Sequence, residues 1–261
     1  MACKVALVTG GAQGIGRGIV RRLLQEAVPP LWSVVVVDNN PSGVEDFQGY
    51  LVRHQLPTSR VHCHLGDVGV QQTSKDVVAC VADRYGRLDL LVNNAGGGGL
   101  GVPLSDVSED MWHAVLNSNL SSAFFFSQAA APLLEKSRGS IVNISSTRAV
   151  MSEPDSFPYS AAKGGVESLT HALAASLAGK VNVNCLRLGW IDVSSSEYGP
   201  SRTQARLSEQ DLLQHFSGRV GSADDVGSAV LFLVNAPFVC GECITLDGRM
   251  TRKMIYHDED V

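Results

Sequence analysis

Tyr159 and Lys163 stand one helical turn apart in the stretch "YSAAK", and residues i and i+4 of a helix share one face. Phenol and amine are both groups that move protons. A free tyrosine titrates at about 10, so a tyrosine base near pH 7 needs a shift of about 3 units, roughly 4 kcal/mol. A nearby ammonium favours the phenolate and supplies part of that shift. Ser160, Ala161 and Ala162 between them are small enough to let another molecule press close. The spacing alone also fits an exposed pair on an ordinary helix, so its meaning depends on the rest of the chain.

A second constellation lies near the start. In "TGGAQGIG" (9–16), Gly10, Gly14 and Gly16 follow a strand-like run and open a helix-like one. Glycines there allow a tight turn and close backbone approach, and the helix N-terminus then faces a pyrophosphate. Asp38 ends the next strand-like run, 22 positions after Gly16. A carboxylate at that distance accepts hydrogen bonds from a ribose 2′-hydroxyl and repels a 2′-phosphate. Asn39 follows it, and Ala12-Gln13 place no base in the glycine loop. The expected cofactor is therefore NAD, with Arg17 solvated on the first helix.

Apolar runs alternate with amphipathic segments, and this alternation must position those groups. Strands are expected at 4–9, 33–38, 60–65, 88–93, 140–145, 181–188 and 243–247. Their Val, Ile and Leu content without polar alternation is that of parallel strands covered on both faces. Helices are expected at 15–27, 43–56, 70–85, 108–136, 157–178 and 223–235. The order implies right-handed βαβ units in a single α/β domain spanning 1–261, a doubly wound parallel sheet of about seven strands. Residues 190–222 show no strand and only a short helical pattern; following a strand, they are expected to form a substrate lid.

Composition excludes several classes. A net charge of −5 offers no basic face for nucleic acid, and 44 % hydrophobic with 18 % charged residues is ordinary globular content. No apolar run approaches the roughly 20 residues of a membrane span. The strand-like run begins at Lys4, so no signal peptide is expected, and the 6 cysteines are read as reduced thiols of a cytoplasmic protein. Cys240 and Cys243 form only half of a structural zinc site, and His62 and His64 share a strand face without further ligands, so no metal is expected.

Seven motifs in order give the chain a resemblance to the short-chain dehydrogenase/reductase family over nearly its whole length: "TGGAQGIG" (9–16), "GDV" (66–68), "NNAG" (93–96), "NSNL" (117–120), "IVNISS" (141–146), "YSAAK" (159–163) and "GWID" (189–192). The resemblance implies a catalytic tetrad of Asn119, Ser146, Tyr159 and Lys163, with Ser146 preferred over Ser145 because it lies 13 residues before Tyr159. It adds Ile15 to the glycine loop, places Asp67 and Val68 at the adenine, Asn94 at the adenosine ribose and Ile191 at the carboxamide, and gives Lys163 a hydrogen bond to the nicotinamide ribose. Asn119 would hold a water that relays protons to the lysine.

The same resemblance implies hydride transfer between NAD(H) and a secondary alcohol or ketone, and a homo-oligomer, a tetramer. The apolar run at 123–134 suits an interface. A non-redox enzyme of the same fold and a non-catalytic dinucleotide-binding protein are the alternatives. Two positions depart from the pattern: Leu188 replaces a proline, and Val193 stands where a threonine would contact cofactor, with Ser194 next to it as a substitute hydroxyl. Met151, Phe157, Trp190 and Tyr198 are candidates for an apolar substrate pocket; Ser152, Glu153, Ser194, Ser195 and Arg202 could bind a sugar or hydroxy acid. "VPPLW" (28–32) is expected as a surface loop, and the tail 249–261 is expected to dock on a neighbour or fray.

Overall fold

The computed structural model describes residues 3–99, 101–194, 196 and 207–254. The chain runs β1 (Lys4–Thr9), α1 (Gly14–Gln25), β2 (Trp32–Asp38), α2 (Pro41–Arg53), β3 (Val61–Leu65), α3 (Gln71–Tyr85), β4 (Leu90–Asn93), α4 (Glu109–Leu116), α5 (Ser122–Ser137), β5 (Ser140–Ser146), α6 (Phe157–Ser176), β6 (Asn182–Leu188), β7 (Ile191–Asp192), α7 (Glu209–Leu213), β8 (Gly221–Ser222), α8 (Ala223–Asn235) and β9 (Cys243–Leu246). Seven strands form one parallel sheet in the order β3-β2-β1-β4-β5-β6-β9. The order reverses between β1 and β4. Their carboxyl ends open a crevice there, where ligands bind in sheets of this kind.

The strands lack polar alternation because both faces are buried. On β1, Ala6 and Val8 join Ile19 and Leu23 of α1 and Val226 and Val230 of α8 in one core. Val5 and Leu7 turn the other way, onto Val77 of α3, Phe126 and Leu134 of α5 and Ala174 of α6. Residues of the central strands therefore meet an apolar layer whichever way they point, while the edge strands β3 and β9 are only partly covered.

Three expectations change. The single helix expected over 108–136 is two, α4 and α5, joined by a π-helical turn at Asn117–Ser121. A π turn takes one extra residue per turn and commonly marks a functional site. The segment expected to lack strands contains β7 and β8, which pair in parallel as Ile191–Gly221 and Asp192–Ser222. Trp32, placed in the loop 28–32, is instead the buried first residue of β2, with the Lys4 ammonium 5.4 Å from its ring.

A chain of buried amides ties the centre together. Asn93 Nδ2 donates to Asn143 Oδ1 at 2.8 Å and to Ser127 Oγ at 3.1 Å, and Asn143 Nδ2 donates to Thr170 Oγ1 at 2.9 Å. Buried polar groups of this kind need partners, and these bonds supply them for the donors, while Asn93 Oδ1 is left without one. The chain of bonds fixes β4, β5, α5 and α6 relative to one another at a level just beneath the crevice.

Candidate active site

The glycine loop occupies the β1–α1 corner. Gly10 and Gly14 have φ of +62° and +57°, the left-handed region that favours glycine. A Cβ on Gly16 would lie 2.0 Å from the Gly10 carbonyl oxygen, so the third glycine permits the loop to fold over the helix start. Gly16 is buried beneath the loop rather than lining the crevice, while Gly10, Gln13, Gly14 and Ile15 line it. The Gly14 amide donates to the Ser196 carbonyl at 2.8 Å, and no side chain caps α1. The Arg17 amide donates to the Gln13 carbonyl, which leaves the Ile15 and Gly16 amides of the first turn without an intrahelical partner and open to an anion.

The remaining cofactor-side residues are pinned by backbone. Asp38 is buried, and its carboxylate accepts from Ala12 N at 3.1 Å and Asn40 N at 3.2 Å. Asn94 donates to the Thr9 and Gly10 carbonyls at 2.9 and 3.1 Å, and Thr9 Oγ1 accepts from the amides of Asn94 and Ala95. Asp67 accepts from Gly69 N, and Asp38, Asp67, Val68 and Asn94 all line the crevice.

Arg17 is not solvated. It is fully buried, donates through Nε to the Ala12 carbonyl at 2.7 Å, pairs with Asp46 at 2.8 Å and lies over the Phe47 and Tyr50 rings. The acid and aromatics of α2 desolvate it, a long-range consequence that the local pattern of α1 does not contain.

Across the crevice, α6 presents Tyr159 and Lys163 beside the end of β5. Lys163 is 4 % exposed, its Nζ lies 5.5 Å from the Tyr159 ring centroid, and it donates to the Ile144 carbonyl at 3.0 Å. Burial lowers its pKa to about 8. Tyr159 departs from the expected shift: burial raises its pKa, opposed by a hydrogen bond with the Ser146 side chain and by the charge of Arg148. The ammonium points to the strand end rather than to the phenol oxygen, so the two lowering influences come from Ser146 and Arg148. Ser145, the other serine of the pair, donates to the Lys163 carbonyl at 3.1 Å and to Glu167 at 3.0 Å, and Glu167 in turn accepts from Arg187.

Asn119 sits in the π turn, buried, and does not line the crevice. Its Oδ1 accepts from Gly97 N at 3.0 Å while Nδ2 donates to the carbonyls of Gly97 and Val115 at 3.1 and 2.9 Å. The side chain clamps the loop after β4. A Cβ on Gly96 would lie 2.2 Å from Asn119 Oδ1, so the "NNAG" glycine makes room for this clamp.

The substrate side is built from the end of β6, the short strand β7 and turns. Leu188, Gly189, Trp190, Ile191 and Val193 line the crevice, as do Met151, Ser152 and Glu153. Ser194 does not; its amide donates to Asp192 Oδ1 at 2.9 Å. Phe157 is also outside the lining, and Ser195, Tyr198 and Arg202 lie outside the described residues. The tail is not frayed where it is described. Asp247 accepts from the amides of Arg249 and Thr251, which folds the turn Met250–Arg252 back so that Met250, Thr251 and Lys253 form a wall of the crevice. The rest of the tail, 255–261, lies outside the described residues. Sequence reasoning missed this wall and Arg148; the base in "TRA" directly after Ser146 was the available signal.

The crevice, about 1300 Å³, joins the glycine loop and Asp38 at one end to Ser146, Tyr159 and Lys163 at the other. Buried carboxylate, uncapped helix start and glycine cradle fit a nicotinamide dinucleotide. Among the described residues no cluster of three or more His, Cys, Asp or Glu groups could hold a metal ion, and no helix is long and apolar enough to cross a membrane.

A model of the short chain dehydrogenase family matches residues 4–202. An oxidoreductase of Thermotoga maritima without an assigned reaction is 35 % identical, covering 98 % of each chain. Among solved structures, an apo SCOR enzyme from Clostridium thermocellum is 36 % identical with a TM-score of 0.85, over 99 % of this chain and 97 % of that one. A gluconate 5-dehydrogenase from Burkholderia cenocepacia, in complex with NADP and tartrate, is 27 % identical with a TM-score of 0.81, over 97 % of each chain.

Proposed function

This chain belongs to the short-chain dehydrogenase family of oxidoreductases, and from that premise we propose that it transfers hydride between NAD(H) and a secondary alcohol or ketone, with Tyr159 as general acid–base. The observation that carries the reading is one crevice holding Ser146, Tyr159 and Lys163 opposite the glycine loop. The bound dinucleotide supplies the hydride acceptor for oxidation and the donor for reduction.

The first turn of α1, with Gly14 and Ile15, would hold its pyrophosphate, Asp67 and Val68 would flank the adenine, Asn94 would lie at the adenosine ribose, and Lys163 at the second ribose. Ile191 offers backbone to the carboxamide. Ser146 donates a hydrogen bond to the substrate oxygen and sets it beside Tyr159. In reduction Tyr159 gives a proton to the carbonyl oxygen, and the burial that raises its pKa keeps that proton in place; oxidation, the reverse, needs the phenolate and is favoured as pH rises. Asn119, as the holder of the Gly97 backbone, shapes the loop between β4 and α4.

Asp38 supports NAD over NADP. Its buried carboxylate is fixed by two amides, so a 2′-phosphate would meet an immovable negative charge. Arg17, the base next to the loop, is committed to Asp46 and the Ala12 carbonyl.

The test is kcat/KM with NADH and NADPH on a panel of ketones, together with the NADH dissociation constant. Tyr159→Phe should lower kcat roughly 1000-fold while leaving NADH affinity within about twofold. Asp38→Ala should narrow the NADH preference by about tenfold, a change of about 1.4 kcal/mol. Near-normal turnover by Tyr159→Phe, or wild-type preference for NADPH, overturns the corresponding assignment.

A homo-oligomer, a tetramer in a cytoplasmic setting, is also proposed. Phe124 on α5 remains 41 % exposed, which supports an interface there. A stable monomer in light scattering across a dilution series would count against it.

A further inference from the structure

The substrate side of the crevice holds a guanidinium that the family motifs leave without a role. Arg148 lies in the 3₁₀ turn Thr147–Ala149, whose start Ser146 caps: the Arg148 amide donates to Ser146 Oγ at 3.2 Å. The turn therefore fixes Arg148 relative to the serine that faces the substrate. The side chain is 18 % exposed, lines the crevice with Tyr159, Met151 and Ser152, and is near enough to bias the Tyr159 phenol toward its ionised form.

Its ion-pair partner is Glu153, on the rim and 69 % exposed. The other two cations lining this side are committed to backbone, Lys163 to the Ile144 carbonyl and Lys253 to the Leu213 carbonyl. Arg148 differs from both, because its partner is a long, solvated side chain. Holding so exposed a glutamate in one geometry offsets part of its attraction to the guanidinium. An incoming carboxylate can take the place of Glu153, whose own carboxylate then returns to solvent. Inside the crevice it gains a planar, two-pronged donor in a less polar medium, the setting in which arginine–carboxylate pairs are strongest.

We infer that Arg148 is the seat for a substrate carboxylate, so that the alcohol or ketone is a hydroxy acid or oxo acid, and that Glu153 occupies this seat until substrate displaces it. This rests on the reading above that Ser146 and Tyr159 hold the reacting oxygen. Arg148 then sets specificity by anchoring the far end of the molecule that Ser146 and Tyr159 hold at the near end. One guanidinium, with no second uncommitted base beside it among the described lining residues, matches the single negative charge of a carboxylate.

The experiment compares 2-, 3- and 4-oxo acids with their methyl esters as substrates for NADH oxidation. Wild type should favour an acid over its ester by about tenfold or more in kcat/KM, and Arg148→Gln should erase that preference by raising KM for the acid alone, while any change in kcat from losing the charge beside Tyr159 is shared by acid and ester. Arg148→Lys should recover part of the loss, and Glu153→Gln should lower KM for the acid. An ester turned over as well as its acid by wild type, or equal losses on both in Arg148→Gln, overturns the inference. Calorimetric titration with malonate separates it from the hydride-transfer reading. Binding that disappears in Arg148→Gln keeps the carboxylate seat even if no oxo acid is reduced, whereas wild type that turns over no oxo acid and binds no malonate overturns it.

Discussion

The two halves of the crevice are held by different means. On the cofactor side the two acids and the amide at the strand ends are tied to backbone: Asp38 to Ala12 and Asn40, Asn94 to Thr9 and Gly10, Asp67 to Gly69. On the substrate side much of the lining lies in turns beyond the strand ends, and Met151, Glu153 and Trp190 remain well exposed. Strand ends inherit their positions from the ladder, whereas turn residues depend on a few local bonds. One half is therefore a fixed mould, and the other can change its residues without disturbing the sheet. Lys163 joins the two, since it stands on a helix and reaches the strand end through Ile144.

The largest expected effect tests the mould. Gly16→Ala forces a methyl to within 2.0 Å of the Gly10 carbonyl, and displacing that loop should cost about 3 kcal/mol or more, in stability, dinucleotide affinity or both. Urea unfolding and NADH fluorescence read the two quantities. Wild-type values of both would mean that the cofactor half is as adaptable as the other, which breaks the comparison.

A smaller effect is expected at the junction. The Lys163 pKa falls from 10.5 to about 8 in the folded chain because of burial. Below pH 8 the amine is protonated in both states, and the fold carries the whole desolvation cost, about 3 kcal/mol. Between pH 8 and 10.5 the folded chain releases the proton first, so this cost diminishes and stability rises with pH; above that window it is gone. Lys163→Met removes the charge and, allowing about 1 kcal/mol for the lost bond to Ile144, should stabilise the protein by about 2 kcal/mol at pH 7. The gain should shrink as pH rises through the window and be accompanied by loss of turnover. Urea titrations at pH 7, 9 and 10.5 measure it, and a variant less stable than wild type at pH 7 would show that the buried amine holds the two halves together instead of straining them.

Local patterns made much of this legible. The seven central strands, most helices and the glycine loop follow from hydrophobic period and glycine placement, which act over a few residues. The Tyr159–Lys163 pair follows from helix geometry in the same way. The split of the 108–136 helix did not, because Asn117–Ser121 reads as helix locally and departs only where Asn119 grips Gly97, 22 residues earlier. Nor did the lining hydroxyl expected at Ser194, which depends on how β7 presents Asp192.

What the sequence by itself determined is the parallel sheet, the position of the glycine loop at its switch point and the candidate acid–base pair, since each is encoded by neighbours in the chain. Only the tertiary structure decided the environment of the charges. Arg17 is buried because α2 brings Asp46, Phe47 and Tyr50 against it, and Lys163 turns to Ile144 because α6 lies on β5. Met250 and Thr251 wall the crevice because Asp247 folds the tail back. Arg148 faces Tyr159 because β5 delivers its turn to the same end of the sheet as α6. Burial and charge pairing are sums over residues far apart in the chain, so they are fixed only when the sheet has assembled.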